Sequence, residues 1–360
     1  MTKGSGLGPL PAFWGGLKQV RSFIATSFAG LLFALCWYPA AYASGTLDTI
    51  RARGTLVCAV ITEEADYTKD DAHGPLTAFA ADLCKAVAAA ALGDAGKARF
   101  LSLPDEQHGL KALQAGKAEL MPAATPDMRM SAIYGVAFGP PVFFDGQGFL
   151  ISRDQGVAAL TGLAGKPVCY IGNTEADTML VATAQMRNIK ILPFPFEELG
   201  EMEAALVSGH RAAMTADISL LAGARAAFHS RIGNFEILPE TITFDPLTPA
   251  YPQGDPQWAA IVGWTLYALI QAEASGVTQA NVDAMLESEE PVVRRLLDDS
   301  SGLARALGLD AGWAVRAIKA AGNYGELFDR TLGKSSPLNL PRGKNALWTQ
   351  GGLMYPMPIR

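Results

Sequence analysis

A chain of 360 residues, 49% apolar and only 18% charged, suits two cores of about 150 residues each and excludes a disordered protein. Its formal net charge of −6, from 29 basic and 35 acidic residues, argues against nucleic acid as a partner, since phosphate neutralisation needs clustered Lys and Arg.

The first 43 residues stand apart. They carry Lys3, Lys18 and Arg21 and no acid, then an uncharged apolar run from Phe23 to Trp37. Ala41-Tyr42-Ala43 follows, with small residues where a signal peptidase needs them. A retained anchor is the alternative, but the run is shorter than the roughly 20 apolar residues of a spanning helix and ends in Tyr38-Pro39. Cleavage after Ala43 is expected. A lipid anchor is not, because Cys36 follows Leu35 rather than a small residue. Losing three cations and no anion takes the net charge to −9, and a soluble, exported, periplasmic product is predicted.

From Gly54 strands and helices alternate. Thr55–Val60 reads as a strand, the Ala-rich Phe79–Leu92 as a buried helix, and Phe100–Leu103 as a strand. Glu106–Ala115 reads as a helix stopped by Gly116, and Leu120–Ala123 as a strand. The same phrase recurs in the strand Pro167–Ile171, the helix Thr174–Met186, the strand Ile189–Leu192, the helix Glu201–Val207 and the strand Ala212–Thr215. One α/β unit used twice implies two similar lobes with mostly parallel sheets. Phe143–Ser152 and Phe235–Leu247 read as extended runs that pass between the lobes as a two-strand hinge. Trp258–Ala274 reads as a long helix, Val277 to Ala321 as further helices, and Leu338–Arg360 as an extended tail wrapping the first lobe. The expected division is a leader over 1–43, lobe 1 over 44–148, lobe 2 over 149–244, and a return to lobe 1 with a C-terminal extension over 245–360.

Three cysteines remain after cleavage. Cys58 on the first predicted strand and Cys84 on the following helix could lie side by side, and a disulfide there would contribute about 3 kcal/mol in the chain-entropy model. Two buried free thiols are the other reading. Cys169 has no evident partner. The histidines His73, His108, His210 and His229 are scattered without metal-ligand spacing, and no metal or cofactor is expected.

Several phrases resemble the solute-binding proteins of polar amino-acid ABC importers, in particular the general L-amino-acid-binding group. They are Thr46-Leu47-Asp48-Thr49-Ile50-Arg51-Ala52-Arg53-Gly54, Phe144-Asp145-Gly146-Gln147-Gly148-Phe149 and Gln253-Gly254-Asp255-Pro256-Gln257-Trp258. Gly322-Asn323-Tyr324-Gly325-Glu326 and the stretch from Asn345-Ala346-Leu347-Trp348 to Gly351-Gly352-Leu353-Met354-Tyr355 extend the match through the tail. The resemblance implies an α/β periplasmic-binding-protein-like fold, a ligand held between lobes that close about the hinge, a monomer, and importer permease subunits as partners.

It also implies site residues. Arg129 resembles the family's carboxylate-gripping arginine, with a surface ion pair as the alternative. Asp217 falls where the second lobe presents its ammonium-binding aspartate, and it could equally N-cap a helix beginning at Ile218. Tyr67 matches an aromatic residue that closes over the ligand, or is an ordinary loop aromatic. Thr125 could add a hydroxyl or only shape a turn. Thr174 keeps part of the family's Gly-Thr-Thr start to the first helix of lobe 2. Departures are numerous: Glu175 beside Thr174, Ala80-Ala81 ahead of Asp82, Pro252 ahead of Gln253, and Arg211 where relatives carry a partner cysteine for Cys169. Glu63, Glu64, Asp66 and Glu175 would suit an amine-bearing ligand, or are solvated surface acids. Catalysis is not expected, since no nucleophile elbow or phosphate loop occurs. Alternatives are an accessory or chemosensory binder of a non-amino-acid ligand and a dehydratase-like enzyme.

Overall fold

The structure, a computed structural model, describes residues 45–62, 76–228, 234–298 and 302–359. The expected leader lies outside the described residues, as do Tyr67, Glu63, Glu64, Asp66, His73 and His229.

The first lobe opens with α1 (Thr46–Arg53), closed by Gly54 in the left-handed region at φ 77°. Strand β1 (Leu56–Ile61), helix α2 (Thr77–Leu92) and strand β2 (Ala98–Leu103) follow, then α3 (Glu106–Gln114) and β3 (Met121–Ala124). Helix α4 (Met128–Tyr134) and the short β4 (Val136–Phe138) end this half. The chain then crosses on β5 (Phe143–Asp145) and β6 (Gln147–Ser152). The second lobe continues with β7 (Pro167–Ile171), α5 (Glu175–Met186), β8 (Leu192–Phe196), α6 (Leu199–Val207), β9 (Ala213–Asp217), α7 (Ile218–Ala227) and β10 (Phe235–Ile237). Strand β11 (Asp245–Pro252) returns to the first lobe, followed by α8 (Pro256–Ala274), α9 (Pro291–Leu297), α10 (Leu303–Leu307), α11 (Trp313–Ala321) and α12 (Tyr324–Thr331).

In lobe 1, β1 pairs in parallel with β2 and bridges to Leu120, whose carbonyl takes the Ala59 N–H at 2.8 Å. Strand β11 lies antiparallel between β3 and β4. The lobe 2 sheet runs β10-β6-β9-β7-β8, with β7 parallel to β8 and β9 and β6 antiparallel to β9. Its central strands are buried on both faces. Phe149, Ile151 and Val168 enter one core, and Leu150, Cys169 and Met214 the other, as the two-residue side-chain period requires. The expected strand at Ile189–Leu192 is displaced to Leu192–Phe196, because the Ile189 N–H bonds back to Ala184 at the end of α5. Pro193 and Pro195 are tolerated there because β8 is the sheet edge, where a missing N–H leaves no ladder bond unmade.

The hinge differs in detail from the sequence expectation. The first crossing breaks into β5 and β6 at Gly146, where a Cβ would stand 2.7 Å from the Thr243 carbonyl oxygen. The second crossing begins only at Asp245, Phe235–Ile237 being the outer strand of lobe 2. Strands β5 and β11 pair antiparallel, with Asp145 opposite Asp245.

The segment after Gln253 packs mainly against the first lobe, and Arg225 of α7 also donates to the Leu338 and Asn339 carbonyls. Asp255 N-caps α8 through the Trp258 N–H and also takes the Thr46 N–H at 2.7 Å, tying α8 to α1. Pro256 sits at the first turn, where its missing N–H is harmless, and Trp258 is fully buried with its indole N–H on the Glu119 carbonyl. Cys58 and Cys84 form a disulfide with 6.3 Å between Cα atoms, locking β1 to α2. In the tail, the buried Asn345 side chain accepts the Phe144 N–H and donates to the Phe144 carbonyl, so the extension clasps β5.

Candidate functional site

A cavity of about 620 Å³ opens where both sheets end. Residues Ala59 to Ile61 at the end of β1, Ala123 to Thr125 at the end of β3, Ile171 at the end of β7 and Thr215 to Asp217 at the end of β9 line it. These are the carboxyl edges of the sheets, where open α/β folds place ligands. The first turns of α2, α3, α5 and α7 complete the walls, and the hinge residues Asp145, Gln147, Thr243, Asp245 and Leu247 form a further side.

Of the residues expected at a binding site, Thr125, Thr174 and Asp217 line this cavity. Thr125 is exposed, and its N–H donates to Glu106 Oε1 at 3.0 Å. The Thr174 hydroxyl donates to the Ile171 carbonyl and takes the Asp177 N–H, so it caps α5. Asp217 occupies the N-cap position of α7 without a side-chain cap bond, and is exposed to the cavity. Arg129 is not among the lining residues. It is the second residue of α4, which is capped by Asp127, and its side chain is exposed to solvent. Tyr67 lies outside the described residues.

The cavity holds acids that sequence reasoning did not select. Asp105, Glu106, Asp145, Glu175, Asp217 and Asp245 all line it, and among the described lining residues there is no Lys, Arg or His. Burial raises the Glu106 carboxyl above its ordinary value, against the lowering bond from Thr125. Burial also raises Asp145, with the Asp245 charge adding to the effect against bonds from Ser219 and Gly146. The polar residues Asp145 and Gln147 alternate inside an otherwise apolar extended run. That alternation was the available signal, since a two-residue period marks a polar face in an extended run.

Gln147 is 2% exposed. Its Nε2 donates to the Ala176 carbonyl at 2.9 Å and to Thr215 Oγ1 at 3.0 Å, while its Oε1 has no partner. Thr243 links the hinge strands, its hydroxyl accepting from the Gln147 N–H and donating to Asp245. In the lobe 2 interior Cys169 is a buried free thiol on the Ala213 carbonyl, pushed up to about 12 by burial. Arg211 stacks its guanidinium 3.8 Å from the Phe194 ring centroid.

No family model matches the chain. It is 37% identical over 318 residues to the general L-amino acid-binding periplasmic protein AapJ of Rhizobium johnstonii, covering 88% of this chain and 93% of that protein. It is 35% identical over 337 residues to the glutamate/glutamine/aspartate/asparagine-binding protein BztA of Rhodobacter capsulatus, covering 93% and 99%. Among solved structures, an ABC transporter periplasmic binding protein from Brucella ovis with glutathione bound superposes with a TM-score of 0.74 at 35% identity, covering 88% of this chain and all of that one.

Proposed function

The chain belongs to the amino-acid-binding periplasmic proteins of ABC transporters, and from that premise we propose that it captures a small amine-bearing, amino-acid-like solute in the periplasm for an importer. The observation that carries this reading is the cavity itself. It joins the carboxyl edges of two separate sheets and is crossed by the two strands about which those sheets can turn.

The solutes named for the relatives are amino acids and a peptide of amino acids, and an ammonium group is common to them. Asp217, a carboxylate at the end of β9, is the group we assign to that ammonium. A charge-assisted N–H···O bond there is among the stronger polar contacts a site can make. Thr125 from the opposite lobe and the capped start of α5 at Thr174 frame the same space. A ligand held by lobe 1 in the open form favours closure only through contacts that lobe 2 adds. Asp217 and Glu175 are placed to add them. The closed form then presents a distinct surface to the permease subunits.

We read the chain as a binder rather than a catalyst. Cys169, the free cysteine among the described residues, is buried with a thiol pushed up to about 12, so it supplies no thiolate nucleophile.

A thermal-shift screen of the purified chain against amino acids, polyamines and small organic acids tests the reading. A ligand at a hundred times its Kd adds about 2.7 kcal/mol of stability. Lack of stabilisation by every amine-bearing solute in the screen would refute solute capture.

A further inference from the structure

The strand registers place four acceptor groups side by side. Asp145 is opposite Asp245 across β5 and β11, and Gln147 is opposite Asp217 across β6 and β9. Residues directly opposite on an antiparallel pair project to the same face. Asp145 and Asp245 therefore share a face on the crossing strands, and Gln147 and Asp217 share one at the start of the lobe 2 sheet; the break at Gly146 separates the two pairs, and all four line the cavity as a row.

Helix first turns also face this space, and their N–H groups favour anions. Some of those amides are taken by the protein's own oxygens: Asp105 takes the His108 N–H, Asp145 the Ser219 N–H and Thr174 the Asp177 N–H, whereas the start of α2 has no side-chain cap. Each helix start carries about half a positive charge, whereas each ionised acid carries a full negative one. A carboxylate has about four acceptor positions, so one or two backbone bonds leave acceptor capacity toward the cavity.

Two features of the row call for an N–H donor. The Gln147 amide is turned by its two Nε2 bonds, which leaves a buried Oε1 without a partner. Asp145, 6% exposed, faces a like charge on the neighbouring strand. Each arrangement is unfavourable in the empty site and is relieved by a bound donor or cation.

We propose that the hinge row Asp145–Gln147–Asp217–Asp245 selects solutes by their positive charge, so that the cavity takes an organic cation bearing an ammonium or guanidinium group in preference to an acidic amino acid. The proposal rests on the capture reading and adds the solute class. Sitting on the crossing strands, the row would also link occupancy to the hinge.

Calorimetric titration of the purified chain with L-arginine, agmatine, L-glutamate and glutathione tests this. Agmatine is arginine without its carboxylate, so it separates a free amine from a cationic amino acid as the source of the charge. L-arginine, agmatine or both are expected to bind at least tenfold tighter than L-glutamate and glutathione. Asp145→Asn keeps an oxygen for the Gly146 and Ser219 N–H groups and removes the charge. It should weaken the cation at least tenfold without lowering the Tm of the ligand-free protein, and Asp245→Asn should act in the same direction. Tighter binding of L-glutamate or glutathione, or unchanged cation affinity in both variants, overturns the proposal and leaves solute capture standing. If none of the four solutes binds while another amine-bearing solute stabilises the protein, the cation row is refuted. If nothing binds at all, capture falls with it.

Discussion

At the scale of single residues, the cavity is marked by its acids. Six carboxylates line it, Asp105 with the His108 ring 2.8 Å away, while no Lys, Arg or His is among the described lining residues and Arg129 is exposed on α4. Arg129→Ala is expected to leave solute affinity within about twofold, since an exposed charge outside a site contributes little. A loss of tenfold or more in calorimetry would put the guanidinium inside the closed cleft. The buried acids give a second expectation. The Asp145 and Glu106 carboxyls are raised, chiefly by burial, so the folded chain holds their protons more tightly than the unfolded chain does. Stability of the ligand-free protein should therefore fall as pH rises from the ordinary carboxylate range through the raised values. The Asp245 charge adds to the rise of Asp145, and the Asp127 charge to that of Glu106. A bound cation favours the ionised forms, so its affinity should rise with pH through that window, by at most about tenfold per unit for each proton released. Titrations between pH 4 and 7 in two buffers of different ionisation heat measure that release. Flat affinity with no proton exchange would place the cation elsewhere.

At the scale of elements, the phrases that carry the family resemblance are fastening points. Gly254-Asp255-Pro256 starts α8, Asp255 capping it and Trp258 burying one turn later. In Asn323-Tyr324-Gly325-Glu326 the capping box opens α12, and the Tyr324 hydroxyl reaches the Val142 carbonyl ahead of β5. Asn345 closes on Phe144 in the same region. Asn345→Ala should cost about 1 kcal/mol, because Phe144 keeps a partly buried N–H and C=O without their partner. Urea unfolding gives the energy, and faster hydrogen exchange at the Phe144 amide locates it. An unchanged midpoint would mean that water replaces the clasp. The disulfide is a separate fastening. Replacing Cys58 and Cys84 together by alanine should lower stability by about 3 kcal/mol, the chain-entropy value for a separation of 26 residues. The denaturation midpoint should then fall, and a midpoint that stays in place would show that the bridge does not form in the folded chain.

At the scale of the whole molecule, two lobes share one cavity and two crossing strands, while the C-terminal segment packs mainly with lobe 1 and is also held by Arg225 of α7, which donates to the Leu338 and Asn339 carbonyls. The hinge is narrow because β5 and β11 pair over only three residues and Gly146 lies against Thr243. Turning about so short a ladder leaves the pairing within each lobe in place, and it must accommodate the contact of α7 with the tail, where Arg225 donates to the Leu338 and Asn339 carbonyls. Small-angle scattering should show a smaller radius of gyration with ligand than without, from a compact value of about 20 Å for this length. Identical profiles in both states would mean that ligand binding does not close the lobes.

Sequence alone determined the alternation of strand and helix and the double use of one α/β unit, and it offered Cys58 and Cys84 as a pair that could meet. Each of these is written locally, in side-chain periodicity, caps and turn residues, or in a phrase shared with relatives. The family resemblance singled out Asp217, Thr125 and Thr174, and these three lie on the cavity wall. Sequence could not gather Asp145, Gln147, Asp217 and Asp245 into one row. Their neighbourhood depends on which strands pair and in what register, and that is decided only when segments as much as a hundred residues apart pack against each other. The exposure of Arg129 belongs to the same class, since the face a short helix turns to solvent is set by what packs beneath it.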